Sequence, residues 1–148
     1  MSMQLSPSEI RTEIVTHFHN NYTSTPVEWP PNPFDSDSLD EWVSVHIDFN
    51  RKSRTVYKGN GLGGNTATRH SGLIHVGVYL KRIQDNTGRS KGTYRVYEII
   101  DDVLAVLERQ RLNGSSVTTY AGYMDTSNLT DKTGEASFAL VTVPFTVT

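Results

Sequence analysis

Apolar positions recur along this chain with two different periods, and the change of period divides it into elements. Ser6, Pro7 and Glu9 spell a helix start: Ser6 can cap, Pro7 suits the first helical position, and Glu9 can close a capping box. Ile10, Ile14 and Phe18 then share one stripe, with Val15 at its margin, and the helix is expected to end near Asn20 and Asn21. A proline-heavy stretch over 25–41 follows. Four of the six prolines stand there (Pro26, Pro30, Pro31, Pro33) and deny it a helix or a central strand. Trp29 and Phe34 inside it still require burial. From 42 to 50 the period is two: Val43, Val45, Ile47 and Phe49 face one side, and Ser44, His46, Asp48 and Asn50 the other. A short strand is predicted over 54–58 and a glycine-rich loop over 59–64. A longer strand over 71–82 has Ile74, Val76, Val78 and Leu80 on one face. Its other face, with Leu73, His75, Gly77 and Tyr79, reads as partly covered. Residues 85–92 have loop chemistry throughout.

From 93 to 112 the period returns to 3.6. Val96, Tyr97, Ile99, Ile100, Val103, Leu104, Val106 and Leu107 fill about half the helix circumference, wider than the ~100° stripe that docks on a sheet. The extra width predicts a second contact, with the first helix or another subunit, and puts Leu104 in the core. Asn113 and Gly114 read as the stop. Two last strands are expected over 117–125 and 136–147, with Pro144 predicting a bulge or an edge. The order α-β-β-β-α-β-β predicts one α+β domain spanning 1–148, with a Pro-rich loop at about 22–41. Two helices pack on a largely antiparallel sheet of about five strands.

Composition narrows the chemistry. The 148 residues include no cysteine, which excludes a thiol nucleophile, an iron–sulfur cluster and a Cys-based zinc site. At 36% hydrophobic and 20% charged, the chain is somewhat polar but well inside the globular range. Fourteen Lys and Arg against sixteen Asp and Glu give a formal charge of −2, without the basic excess of a nucleic-acid-gripping domain. Residues 1–7 lack the basic and apolar regions of a signal peptide, and no run of 18 apolar residues occurs, so cytoplasmic synthesis without a membrane span is expected.

The motifs are sparse. Gly59, Gly61 and Gly64 match G-x-G-x-x-G, but the segment leads toward a strand rather than a helix, so a partner-binding hairpin tip is the better reading than a dinucleotide site. His17 and His19 are two apart on a helix and cannot share a metal. His46 and His75 could meet across neighbouring strands, though neither stands in a spacing that defines a metal site. Asp35, Asp37, Asp40 and Glu41 lack the ligand ladder of a calcium loop. No cofactor, metal or catalytic set is expected. Basic residues punctuate two loop regions: Arg51, Lys52, Arg54, Lys58 and Arg69, then Lys81, Arg82, Arg89 and Lys91. Brought together, they would form a positive patch for an acidic partner.

The ordered set of segments resembles the tail terminator (tail-completion) proteins of long-tailed bacteriophages and related prophages. It comprises the short N-terminal helix, the strand from Trp42 to Phe49, the run from Arg69 to Leu80, the helix from Gly92 to Leu107, and the terminal strand through Phe138 to Phe145. The resemblance implies a non-enzymatic protein that forms a hexameric ring on the tail tube. The ring ends tube polymerisation and offers a surface to the head. Implied partners are further copies of the chain, the tail tube protein and a head-completion or connector protein. Genomic DNA would pass through the lumen without sequence readout. The implied location is the host cytoplasm during assembly, then the neck end of the virion's tail. Candidate tube or subunit contacts are Trp29, Phe34, Arg51, Lys52, Arg54, Arg69, His70, Arg89 and Lys91. Two alternatives stay open: a head–tail connector or neck protein, and a small α+β ligand-binding domain or enzyme with a site near His46, His75 and the glycine loop.

Overall fold

The computed structural model of the chain describes residues 6–35, 39–49, 53–56, 66–69, 71–81, 92–112, 117–126 and 136–147. In chain order its elements are α1 (Pro7–Asn21), β1 (Val27–Glu28), β2 (Glu41–Phe49), β3 (Ser53–Val56), β4 (Thr66–Arg69), β5 (Ser71–Lys81), α2 (Gly92–Leu107), β6 (Val117–Thr119), β7 (Tyr123–Asp125) and β8 (Ala136–Val147). The α+β class and the largely antiparallel sheet agree with the pattern.

Local chemistry sets α1. The Ser6 hydroxyl accepts from the Glu9 N–H at 3.3 Å, and the Glu9 carboxylate accepts from the Ser6 N–H at 3.3 Å, closing the capping box. Ile10, Ile14 and Phe18 are fully buried. Just past the helix, Tyr22 stacks on Phe18 with ring centroids 4.6 Å apart, and its hydroxyl meets Thr25 Oγ1 at 2.8 Å. Burial pushes the Tyr22 phenol up to about 12, against the lowering effect of the Thr25 hydrogen bond. An unfolded tyrosine ionises near 10, so the stability this phenol contributes is full below pH ~10 and is lost as pH rises toward 12. Burial also raises the Tyr79 phenol, so near-ultraviolet absorbance during alkaline titration is expected to show late-ionising phenols, of which Tyr22→Phe removes one together with part of the alkaline loss of stability.

Six strands form one sheet in the order β1-β2-β5-β8-β6, with β7 also on β8, and β1–β2 is its parallel pair. Register places Val43, Val78 and Ala139 side by side, then Val45, Val76 and Val141, then Ile47, Ile74 and Val143, all on one face. That face carries the core beneath both helices. α2 buries Val96, Ile99, Ile100, Val103 and Leu107, while Leu104 and Val106 are half-buried and Tyr97 is exposed. Its second contact is α1 and the turn after it. His17 Nε2 donates to the Val106 carbonyl at 2.8 Å, and the Ser24 hydroxyl donates to Asp102 at 2.7 Å. Arg95 of α2 clasps Glu41 of β2 through two hydrogen bonds of 2.7 and 2.8 Å, which hold the Arg95 guanidinium well above its usual range.

Three expectations need correction. α2 stops at Leu107 rather than near 112, because Arg109 takes a left-handed conformation (φ 55°) and the chain turns to pair with β6. There Thr119 N donates to the Gln110 carbonyl at 2.8 Å, Gln110 N donates to Thr119 Oγ1 at 2.8 Å, and the Thr119 hydroxyl also donates to the Leu107 carbonyl. The strand expected over 117–125 is two strands. Thr119 pairs with Phe145 but Tyr123 pairs with Thr142, so three residues (120–122) face two (143–144). This bulge lies opposite Pro144, whose carbonyl accepts from Tyr120 N at 3.0 Å on that side. The N–H that proline lacks faces the same gap, so Pro144 sits inside β8 with its register to β5 unbroken. Finally, the pattern missed β1, β4 and the parallel pair at the edge.

Candidate functional site

β2 and β5 do not end together where the sheet ends. Phe49 pairs with Gly72, and after three residues on one strand and two on the other, Ser53 pairs with Arg69. The β2–β5 ribbon thus continues as β3–β4, a separate two-stranded sheet off the main one. Segment 59–64, with its glycine motif, lies outside the described residues, between β3 and β4 in the chain.

Of the sequence-predicted contacts, Arg54 and Arg69 stand on this ribbon, at adjacent register positions opposite Thr68 and Ser53 respectively. Arg51, Lys52, His70, Arg89 and Lys91 lie outside the described residues. The two basic runs attach to opposite ends of β5, an 11-residue strand. At about 3.3 Å per residue those ends are roughly 33 Å apart, which separates Lys81 from Arg69, the described members of the two runs nearest those ends. Trp29 and Phe34 are half-buried. Trp29 meets Phe18 edge-on at 5.8 Å and closes one end of the core rather than projecting from it.

The sheet face away from the helices carries a polar cluster that register assembles. His46 and His75 are direct cross-strand partners, with rings 6.4 Å apart and nearly parallel. Asp48, two residues along the same face, takes His46 Nε2 on one oxygen at 3.1 Å and His75 Nε2 on the other at 3.2 Å. Both imidazoles must carry a hydrogen on Nε2 to donate to the carboxylate. His75 Nδ1 lies 3.1 Å from the Thr142 hydroxyl, and with the ring hydrogen on Nε2 alone it accepts from that hydroxyl. Thr142, His75 and Asp48 therefore follow the order of a nucleophile triad, but Thr142 is only 3% exposed and its hydroxyl is closed to a substrate. Among the described residues no group of three or more His, Cys, Asp or Glu is arranged to hold a metal ion. The sequence pointed to the two histidines; Asp48 and Thr142, which orient them, required the register.

Beside β2 runs a shallow groove of about 170 Å³, lined by Arg11, Val15, Trp29, Pro30 and, on β2, Val45, His46, Ile47 and Phe49. Ligand pockets begin at about 300 Å³, so this groove is small for a metabolite. β1 pairs only with Val43 and Ser44, and no described strand covers β2 on that side beyond Val45. At the other end of the sheet, residues 109–112 cover β6, while the outer side of β7 has no described strand beside it. β5 and β8 are both interior, and among the described residues the outer strand edges without a partner strand belong to β2 beyond Val45 and to β7. Among the described residues no helix is long and apolar enough to cross a membrane. Comparison of the sequence with protein-family models and with curated proteins finds no match.

Proposed function

We propose that this chain is a virion-assembly protein of the tail-terminator type, a ring subunit that caps a phage tail tube and prepares it for head joining. The observation that carries this reading is a second, two-stranded sheet, β3–β4, apart from a main sheet whose two described helices lie on one face. A two-stranded ribbon alone is marginal in water and gains stability when a partner buries it. A ring subunit needs such a reaching element for the tube or head, and two distinct lateral surfaces for its neighbours. The shielded Thr142 leaves the His75–Asp48 pair without an accessible hydroxyl nucleophile beside it.

The test is electron microscopy of lysates from phage lacking the gene. Overlong or unjoined tails beside DNA-filled heads are the expected outcome. Tails of normal length without heads would instead assign the chain to a connector. Intact infectious particles would reject both.

A further inference from the structure

We infer that the accessible edge of β2 in one copy pairs antiparallel with the β7 edge of the next, so that the sheet continues from subunit to subunit. The proposal deepens the ring reading above and rests on it for the choice of a second copy as the occupant. Three observations support it. The two edges lie at opposite ends of a single sheet, the arrangement that head-to-tail association requires. The exposed large apolar side chains gather at these ends: Phe49 (39% exposed) on β2, and Tyr120 (47%), Tyr123 (57%) and Met124 (49%) on or beside β7, with Tyr97 on α2 the remaining one among the described residues. Neither edge carries the lysine or proline that commonly blunts a free strand within its uncovered part.

Strand sense fits as well. β1, β2 and β8 run one way, and β5, β6 and β7 run the other. Rotation about a ring axis lying roughly along the strands preserves those senses, so β2 meets a neighbour's β7 antiparallel. Side-chain parity fits too. Phe49 shares its face with Gly72 and Phe145, and Met124 shares its face with Val141, which is the same helix-covered face. Facing residues in an antiparallel pair lie on one face, so Phe49 and Met124 become cross-strand neighbours in apolar contact. Main-chain hydrogen bonds at β2 beyond Val45 then find partners, as in other cases of strand addition.

The absence of cysteine makes the test direct. Phe49→Cys and Met124→Cys are made singly and together, and each purified protein is treated with a short bismaleimide. The double variant is expected to give a ladder of dimer, trimer and larger species. Each single variant is expected to stay monomeric alone, and an equal mixture of the two to stop at dimer. Dimers from either single variant alone would show like-with-like pairing and overturn the proposal, as would a double variant that remains monomeric. Should these cysteines lower the melting temperature, Asp48→Cys with Asp125→Cys, which the same register places opposite each other, asks the same question from the opposite face, with the same two outcomes. Ladders from a protein whose loss leaves particles infectious would keep the edge pairing and discard the terminator reading. Overlong tails together with a chain that does not ladder would do the reverse.

Discussion

Val103→Asp is expected to leave the chain without a cooperative thermal transition. Val103 is fully buried on the α2 face that meets the sheet, within the continuous cluster formed by both helices and the core strands. A carboxylate there would lose its water without gaining a partner, or would have to take up a proton. Removing one partner of a buried charge pair costs about 3–5 kcal/mol, and an added lone charge belongs to the same class. That is a large fraction of the ~5–15 kcal/mol that holds a domain folded. Circular dichroism melting should show a broad, shallow loss of signal. Leu104→Asp is the informative companion. Periodicity alone places Leu104 in the core, but the structure leaves it half-buried at the margin of the cluster. It is therefore expected to remain folded with a lowered midpoint, and a cooperative melt for Val103→Asp would refute the assigned helix face.

Gly72→Ala is the second large effect. Gly72 lies between Phe49 of β2 and Phe145 of β8, its direct partners on either side, and the two rings meet edge-on at 5.9 Å. A β-carbon at Gly72 would stand 2.7 Å from Phe145 Cζ and collide with the Asp48 carbonyl oxygen. The ring could shift, but the carbonyl belongs to the β2 backbone, so relief requires separating two paired strands. Overpacking costs about 1–3 kcal/mol and occasionally more, and a backbone clash puts this site at the upper end. At about 2–4 °C per kcal/mol for a chain of this size, the melting temperature should fall by roughly 6–12 °C. An unchanged midpoint in differential scanning calorimetry would show that the strands have slack here. The usual gain from replacing a strand glycine is thus reversed at this position.

What could be read from the sequence was whatever its own neighbourhood decides. The Ser6–Glu9 box needs four consecutive residues, and the stripe of Ile10, Ile14 and Phe18 needs three turns of helix, so α1 was legible to its ends. β2 and β5 were legible because strict alternation survives wherever one face is buried. Features decided by distant partners were not. α2 yields at Arg109 because Gln110 and Thr119 exchange hydrogen bonds, which outweighs the continued helical signal through Leu112. β1 is two residues long and exists only because β2 lies beside it. Pro144 announced a bulge, but the extra residue sits on the strand facing it. For the candidate site, His46 and His75 could be named as neighbours, whereas their clamp on Asp48 depended on a register that fixes which residues oppose. Which described strands lie outermost, β2 and β7 among them, depended on the full strand order, which local pattern does not specify.

The place of β8 has a consequence for how the chain is made. β8 follows every other described element in sequence, yet it lies inside the sheet and is the strand to which β5, β6 and β7 all pair. While the chain emerges from the ribosome, β5 can find β2, but its other edge waits through α2, β6 and β7 for a partner. The central ladder is therefore closed by non-local pairing, the slow kind. Until then a strand of eleven residues, with Ile74, Val76 and Val78 along one face, stays open to any other extended chain. The interval before β8 arrives is when misassembly competes most strongly with folding.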